Sequence, residues 1–310
     1  MRRAHELYLW QSERMGEKRL PRVLAVHDLC GYGSCSLSTA LPVLGAAGIK
    51  VCALPTAYLS AHTAFPSYSF FDTSSSWEDC LRAWQDIQLQ FDAVYSGFLG
   101  NCQQAEVLTR VYEQQPQALR IVDPVMGDHG QIYRTYSADL CQAVRDLALQ
   151  AQILSPNLTE AALLTGLPYP GEEPDEDALE RLMAGLLELG VPYIILKAGR
   201  RGRTIRSYCF GPELERCCVE AEYIGAAMHG TGDLFASSLV AGIYSGQSLG
   251  RALELAMAFV TAAMRTSLGM EDWVQAGVSF EQELAHFVQD LQLPSQRAAE
   301  AAGPCPERAE

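Results

Sequence analysis

Short apolar runs of β character recur along the chain, each separated from the next by a longer stretch with helical spacing. Residues 23–26 (VLAV) lead into a helical pattern over 36–47 and a second run at 51–54, and further runs stand at 93–95, 120–122, 153–154 and 193–196. A parallel strand pair cannot be closed by a hairpin turn and needs a crossover, usually a helix, so this alternation predicts βαβ units and an α/β fold with a mainly parallel central sheet. Each run is followed by Gly, Pro, Asn or Asp punctuation, where strand-to-helix loops belong. In open α/β sheets ligands bind outside the carboxyl ends of the strands, so the chemistry is to be sought in those loops.

The rhythm changes near the C-terminal third. Tyr208, Phe210, Cys217, Val219 and Tyr223 flank Gly211-Pro212 and predict a small antiparallel hairpin over 207–224 that extends or flanks the sheet. Residues 234–245 and 249–267 then read as two mostly apolar, buried helices, the second broken at Gly269. An acidic, proline-containing stretch at 168–177 is a loop ahead of a helix at 178–189, and no internal repeat or domain-sized linker is present. A single domain over residues 21–293 is expected, with 1–20 a peripheral N-terminal extension and 294–310 a disordered tail.

Charge narrows the partners. Against 23 Lys and Arg stand 37 Asp and Glu, a formal charge of −14 that repels nucleic acid backbones and anionic lipid surfaces. A small anion such as ATP is still admissible, because backbone N–H groups and one or two cations can override the global field locally. No segment has the length and apolarity of a membrane span, and the charged first twenty residues lack a secretory apolar core, so neither a membrane nor export is expected. Ten cysteines are scattered through apolar stretches, and the spacing of Cys30 from Cys35 and of Cys217 from Cys218 supplies no paired CxxC. Neither a disulfide framework nor a structural zinc is expected, and a reducing cytoplasm fits best.

The sharpest local signal is Gly230-Thr231-Gly232-Asp233, at the start of an apolar helix. Two glycines let amides turn toward one point, and the helix dipole adds positive potential there, which makes an anion site. A carboxylate at such a point is repulsive to phosphate unless it accepts a proton or holds a metal; the plain alternative is that Asp233 caps the helix. Thr231 stands where a P-loop needs lysine, so a Walker site is excluded. Gly31-Tyr32-Gly33 follows the first strand, but Ser36 fills the third glycine position of a dinucleotide fingerprint, which leaves a tight strand-to-helix turn.

Other strand ends carry carboxylates. Asp123-Pro-Val-Met-Gly-Asp128 presents two that suit a hard cation, and Ser155-Pro-Asn157-Leu-Thr-Glu160 reads either as a capping box or as a loop bringing Glu160 beside Asp128 at Mg²⁺. Lys197 ends another strand; a surface lysine is the default, and a phosphate-facing one the alternative. His27 and His62 lack metal-ligand spacing and fit pocket or core roles.

Taken in order, the Asp123–Asp128 loop, the Ser155–Glu160 loop and Gly230-Thr-Gly-Asp-Leu-Phe-Ala236 resemble the ribokinase-like superfamily, and within it the pyridoxal kinase family. His27-Asp28, Gly31-Tyr32-Gly33, Ser60-Ala-His62-Thr63 and Tyr95-Ser-Gly97-Phe98 add looser matches, so the resemblance covers roughly residues 22–268. It implies a three-layer α/β sandwich, often a homodimer, that transfers a phosphoryl group from ATP with Mg²⁺ to the 5′-hydroxymethyl group of a B6 vitamer. By the same resemblance Asp233 matches the general base and Gly230, Thr231 and Gly232 the anion hole. Asp128 and Glu160 match the Mg²⁺ positions, Asn157 a phosphate contact, and Asp123 and Ser155 a monovalent-cation site that takes K⁺. Asp28, Tyr32, His62, Thr63 and Phe98 fall on the vitamer side. Three positions depart from the pattern: Asp28 replaces a serine that faces the ring, Phe98 a tyrosine, and Lys197 a small hydroxyl residue near the nucleotide. Asp28 would favour a protonated ring through a charge-assisted bond, and the Lys197 ammonium would supply charge that K⁺ supplies elsewhere. Hydroxymethylpyrimidine kinase, which shares the transfer apparatus, and a non-catalytic vitamer or nucleotide binder are the alternatives.

Overall fold

Val23, Leu24, Ala25 and Val26 are all fully buried, as a strand covered on both faces must be. They form most of β1 (Arg22–Val26) in a computed structural model that describes residues 19–293; residues 1–18 and 294–310, where the peripheral extension and the disordered tail were expected, lie outside the described residues. The chain continues through β2 (Leu29–Cys30), α1 (Leu37–Ala46), β3 (Lys50–Ala53), β4 (Ala57–Leu59), β5 (Phe70–Asp72), α2 (Ser74–Asp86), β6 (Ala93–Ser96) and α3 (Cys102–Gln114). Next come β7 (Leu119–Val122), β8 (Gly127–Asp128), β9 (Gln131–Ile132), α4 (Ala138–Ala148), β10 (Ile153–Leu154), α5 (Leu158–Thr165) and α6 (Glu176–Glu188). The last part holds β11 (Tyr193–Arg201), β12 (Thr204–Gly211), β13 (Leu214–Glu222), α7 (Thr231–Tyr244), α8 (Leu249–Leu268), α9 (Trp273–Ala276) and α10 (Leu284–Gln292).

Eight strands make the central sheet in the order β13-β12-β11-β10-β7-β6-β1-β3. The six from β11 to β3 are parallel, and the expected hairpin, β12 and β13, adds two antiparallel strands at the β11 edge. Alternate strand residues feed two cores. Leu24, Val26, Val94, Val122, Leu154 and Leu196 pack with side chains of α2 through α6, while Val23, Ala93, Tyr95, Ile121, Ile153 and Ile195 pack with α1, α7, α8 and α10. Side chains of a strand point to opposite faces in turn, so this partition is the three-layer sandwich written in sequence. Two small additions were not foreseen: the sheet β2-β4-β5 and the ribbon β8-β9.

Register is what builds the site. Val26 pairs with Ser96, Ser96 with Val122, Val122 with Leu154 and Leu154 with Ile194, so these five stand abreast. The residues that follow them, among them His27, Gly97, Asp123 and Ser155, leave the sheet along one edge. Backbone bonds hold the edge in line: Gly97 N–H to Val26 O at 3.0 Å, Asp123 N–H to Ser96 O at 2.9 Å and Ser155 N–H to Val122 O at 3.0 Å. Among the described residues no helix is long and apolar enough to cross a membrane.

Leu24 is fully buried in β1, the strand between β3 and β6. Leu24→Ala is expected to lower unfolding free energy by about 2–5 kcal/mol through lost transfer energy and a residual cavity. Urea unfolding checks this, with a lower midpoint and an unchanged slope.

Candidate active site

A lysine lies among carboxylates at the strand ends. Lys197, in β11, donates from Nζ to Asp123 Oδ1 at 3.0 Å, and the same ammonium is 3.9 Å from Glu160 Oε2. Its side chain is 20% exposed and those of the two acids 4% and 3%, so the default reading of a free surface lysine does not hold. Burial opposes the Lys197 ammonium, but Asp123 and Glu160 more than offset this and the pKa ends above its ordinary value. Burial likewise raises Asp123 against the pull of Lys197, and it pushes Glu160 up to about 8.

Glu160 also completes the expected capping box of α5: Asn157 accepts the Glu160 N–H at 2.8 Å, and Glu160 Oε2 accepts the Asn157 N–H at 2.8 Å. The Asn157 side chain then donates to Gly127 O at 2.9 Å, and Met126 N–H reaches Glu160 Oε1 at 3.4 Å, which ties the loop after β10 to the loop after β7. Asp128, on that second loop, instead points outward, half exposed beside His129. The Asp123 and Asp128 carboxylates therefore face different surroundings, one a part-buried lysine and the other solvent. Ser155 Oγ is buried without a hydrogen-bond partner.

The start of α7 has the geometry of an anion site. Gly230 is its N-cap in the left-handed region at φ 81°, where a Cβ would collide with the Ser34 carbonyl oxygen. Nothing crowds Gly232, and the Thr231 hydroxyl is turned back to Met228 O at 3.1 Å, so it does not cap the first amides of the helix, which have no acceptor within it. No side chain caps this helix, so the capping reading of Asp233 is set aside. Asp233 accepts the Ser36 N–H instead. Burial, with Asp28 and Asp123 adding to it against Ser36 and Lys197, raises its pKa to about 7.

Across from α7, Asp28 is buried and accepts the Ser36 hydroxyl at 2.5 Å and the Cys30 thiol at 3.4 Å. Burial raises its pKa more than these two bonds lower it. His27 beside it is fully enclosed, packed edge-on against Tyr95, and burial drives its pKa down to about 3, so it is a neutral core group. At the outer rim His62 donates from Nε2 to Gln275 O at 2.8 Å and packs at a tilt against His229 at 4.4 Å and Phe65 at 4.7 Å, and Tyr32 meets Phe65 at 5.7 Å. Thr63 is exposed next to this group, and half-buried Phe98 packs edge-on against Tyr136 at 5.7 Å.

The structure thus gathers Asp28, Asp123, Asp233 and Lys197 within electrostatic reach of one another, joins Glu160 and Asn157 to them through the loops, and sets Tyr32 and His62 together at the rim. Two contributors were missed. Ser36 serves both Asp28 and Asp233 from a backbone at φ 52°, and its only sequence signal was that it stood where a glycine belonged. His229 immediately precedes the glycine pair and was passed over for it.

The three-layer architecture is that of ribokinase-like kinases. Residues 72–277 match the model of the phosphomethylpyrimidine kinase family. A pyridoxine/pyridoxal/pyridoxamine kinase of Bordetella avium is 31% identical over 269 residues, 80% of this chain and 86% of that one. The chain belongs to this family of pyridoxal and phosphomethylpyrimidine kinases. Among solved structures, pyridoxal kinase from Lactobacillus plantarum is similar with a TM-score of 0.80 at 31% identity, covering 87% of this chain and 97% of the other. A protein of Bacteroides thetaiotaomicron described as a phosphomethylpyrimidine kinase, crystallised with pyridoxal, is similar with a TM-score of 0.81 at 30% identity, covering 90% and 98%.

A raised carboxylate pKa is a stability penalty with a definite sign. Between the ordinary value of 3.8 and the folded value of about 7, the unfolded chain ionises Asp233 first, so the penalty grows with pH and is complete above 7. Asp233→Asn is therefore expected to raise Tm by about 2–6 °C at pH 8, with the gain vanishing near pH 4. Calorimetry of both proteins across that range measures it.

Proposed function

We infer that the chain phosphorylates the 5′-hydroxymethyl group of a B6 vitamer from ATP. The observation that carries this reading is Asp233, a part-buried carboxylate poised near neutrality at the amides that open α7. The likeness to proteins named for pyridoxal, and to one crystallised with it, supports the choice of acceptor. In the proposed step the vitamer oxygen attacks the terminal phosphorus of ATP in line, its proton passes to Asp233, and the bond to the leaving ADP oxygen breaks. The Gly230, Thr231 and Gly232 amides meet the charge on the transferring group, where a fixed donor is worth more than in water. Asn157 contacts phosphate in this reading. Asp28 faces the ring, with Ser36 orienting its carboxylate; Tyr32, His62, Thr63 and Phe98 line the vitamer side.

The chemistry of the donors fits Mg²⁺, which takes few protein carboxylates and completes its shell with phosphate oxygens and water. The exposed Asp128 would hold it, and Glu160, whose oxygens already serve backbone amides, would orient its water. Bound there, the ion would neutralise phosphate charge. Asp123 and Ser155 were matched to a K⁺ site, yet the Lys197 ammonium is bonded to Asp123 at 3.0 Å and supports a reading in which lysine supplies that charge. A homodimer belongs to the reading, supported by Tyr58, Phe70 and Phe71 standing exposed on the small sheet. A cytoplasmic location does too, where ATP is made and free thiols such as the nine among the described residues stay reduced. Hydroxymethylpyrimidine is the second acceptor to weigh, because the matching family carries phosphomethylpyrimidine kinase in its description.

ADP release measured with pyridoxal, pyridoxine, pyridoxamine and hydroxymethylpyrimidine is expected to be fastest with a B6 vitamer. Asp233→Asn should lower kcat by about 10²–10⁴-fold. The native kcat/KM should rise with pH through about 7, where Asp233 ionises, and the variant should lose that limb. Turnover of hydroxymethylpyrimidine alone, or an unaltered kcat in the variant, overturns the reading.

Rates at constant ionic strength should change less than about twofold when K⁺ replaces a bulky organic cation, since an ammonium already sits on Asp123. A steep rise with K⁺ would refute the role given to Lys197.

A further inference from the structure

We propose that Asp28, Cys30 and Cys35 form a binding site for a thiophilic divalent cation such as Zn²⁺, distinct from the Mg²⁺ position at Asp128. Each of the three offers one ligand atom, and these atoms lie within 4.8 Å of one another. All three residues are buried, at 6%, 5% and 8% exposure. Tetrahedral zinc with sulfur ligands at about 2.3 Å and oxygen at about 2.0 Å requires ligand atoms roughly 3.5–3.8 Å apart. Asp28 Oδ2 and Cys30 Sγ stand 3.4 Å apart, so one edge of the tetrahedron is already formed and the other two close by a side-chain rotation.

The surroundings carry negative charge that a cation would offset. Cys30 donates to Asp28 and the Cys35 thiol is bonded to Cys30, a chain of protons between groups that a metal prefers deprotonated. The bond to Cys30 and burial, with the charge of Asp233 and Asp28 adding to them, push the Cys35 thiol far above its ordinary pKa, and a bound cation would offset that negative charge. Ser36 donates to Oδ1 of Asp28 and leaves Oδ2 toward the sulfurs, the arrangement by which an outer hydrogen bond orients a metal-binding carboxylate. Binding replaces two thiol protons with one Zn²⁺, and both protons pass to the buffer. Two thiolates, one carboxylate and a fourth position for water suit zinc better than Mg²⁺ or Ca²⁺, which take oxygen ligands. The sequence conceals this site because Cys30 and Cys35 do not have the spacing of zinc ligands; the turn from β2 into α1, closed by the Leu29–Ser36 bridge, brings them together.

One consequence rests on the vitamer reading: a metal on Asp28 takes the carboxylate intended for the ring, so Zn²⁺ inhibits competitively against the vitamer and not against Mg·ATP. The site itself is tested without substrate. Co²⁺ is added to the full chain, reduced with a phosphine and free of nucleotide. One equivalent should develop a thiolate-to-cobalt charge-transfer band of two-thiolate intensity together with the strong visible bands of tetrahedral cobalt. Zn²⁺ should displace it, releasing about two protons by calorimetry in buffers of different ionisation enthalpy. Cys30→Ser and Cys35→Ser should each weaken Zn²⁺ binding at least about 100-fold, whereas Cys217→Ser should leave it unchanged. No charge-transfer band in the unmodified chain, or a band kept by either of the first two variants, overturns the site. The first of these readouts needs no variant to fold, and because none involves turnover, they fail independently of the proposed kinase activity.

Discussion

The Lys197 ammonium, bonded to Asp123 and 3.9 Å from Glu160, is the interaction on which the rest of the strand-end cluster depends. An exposed pair of this kind is worth about 0–1 kcal/mol, but here both acids are buried, and removing the lysine would leave two carboxylates without a cation in a medium that tolerates none. Its field also reaches Asp233. Burial, Asp28 and Asp123 raise that carboxyl, while Lys197 and the Ser36 N–H lower it, and the balance leaves it near 7. A carboxylate held there is partly ionised at neutral pH and basic enough to keep a proton, the compromise that the general-base role proposed for it requires.

Backbone contact sets where that carboxylate stands. Gly230 packs on the Ser34 carbonyl, Ser34 N–H bonds Ala276 O at 3.0 Å, and Val278 N–H bonds His229 O at 2.9 Å. The turn at 31–36, the start of α7 and the segment around α9 are thereby tied together, and Ser36 is brought to Asp233. The tie has a cost: Ser36 holds φ at 52°, a conformation that costs a non-glycine residue about 1–3 kcal/mol. Its hydroxyl bond to Asp28 and its N–H bond to Asp233 offset this. The strain is located where one residue must serve two carboxylates at once.

What could be read in the sequence follows a physical line. Strands covered on both faces announce themselves as apolar runs, so 23–26, 93–95 and 120–122 fell inside β1, β6 and β7, and the apolar helices α7 and α8 were visible for the same reason. Loops with fixed chemistry were legible too: Asn157 and Glu160 make the capping box their spacing implies. The small sheet β2-β4-β5 was not, because three strands of two or three residues, with Tyr58, Phe70 and Phe71 facing outward, bury too little to leave a pattern. Lys197 read as a surface lysine since nothing in a linear sequence reports that Asp123, seventy-four positions earlier, lies at 3.0 Å. The Asp28–Cys30–Cys35 cluster was hidden likewise, as sulfur spacing is informative only when the intervening turn is known.

Charge shapes what the site accepts. A chain of formal charge −14 with Asp28, Asp123 and Asp233 at one sheet edge would repel a nucleotide were the charges free to act. They are not, because Asp28 and Asp123 are buried, Asp233 is part-buried and all three are held above their ordinary pKa, so protons and Lys197 remove part of the field. What remains to attract an anion is local and directional: the free amides at the start of α7 and its dipole, whose influence fades within a turn. An anion is therefore favoured at one point and opposed elsewhere on the surface. That favoured point adjoins Asp233, and negative charge held there would raise the pKa of this carboxylate further, the direction that the proposed proton transfer needs.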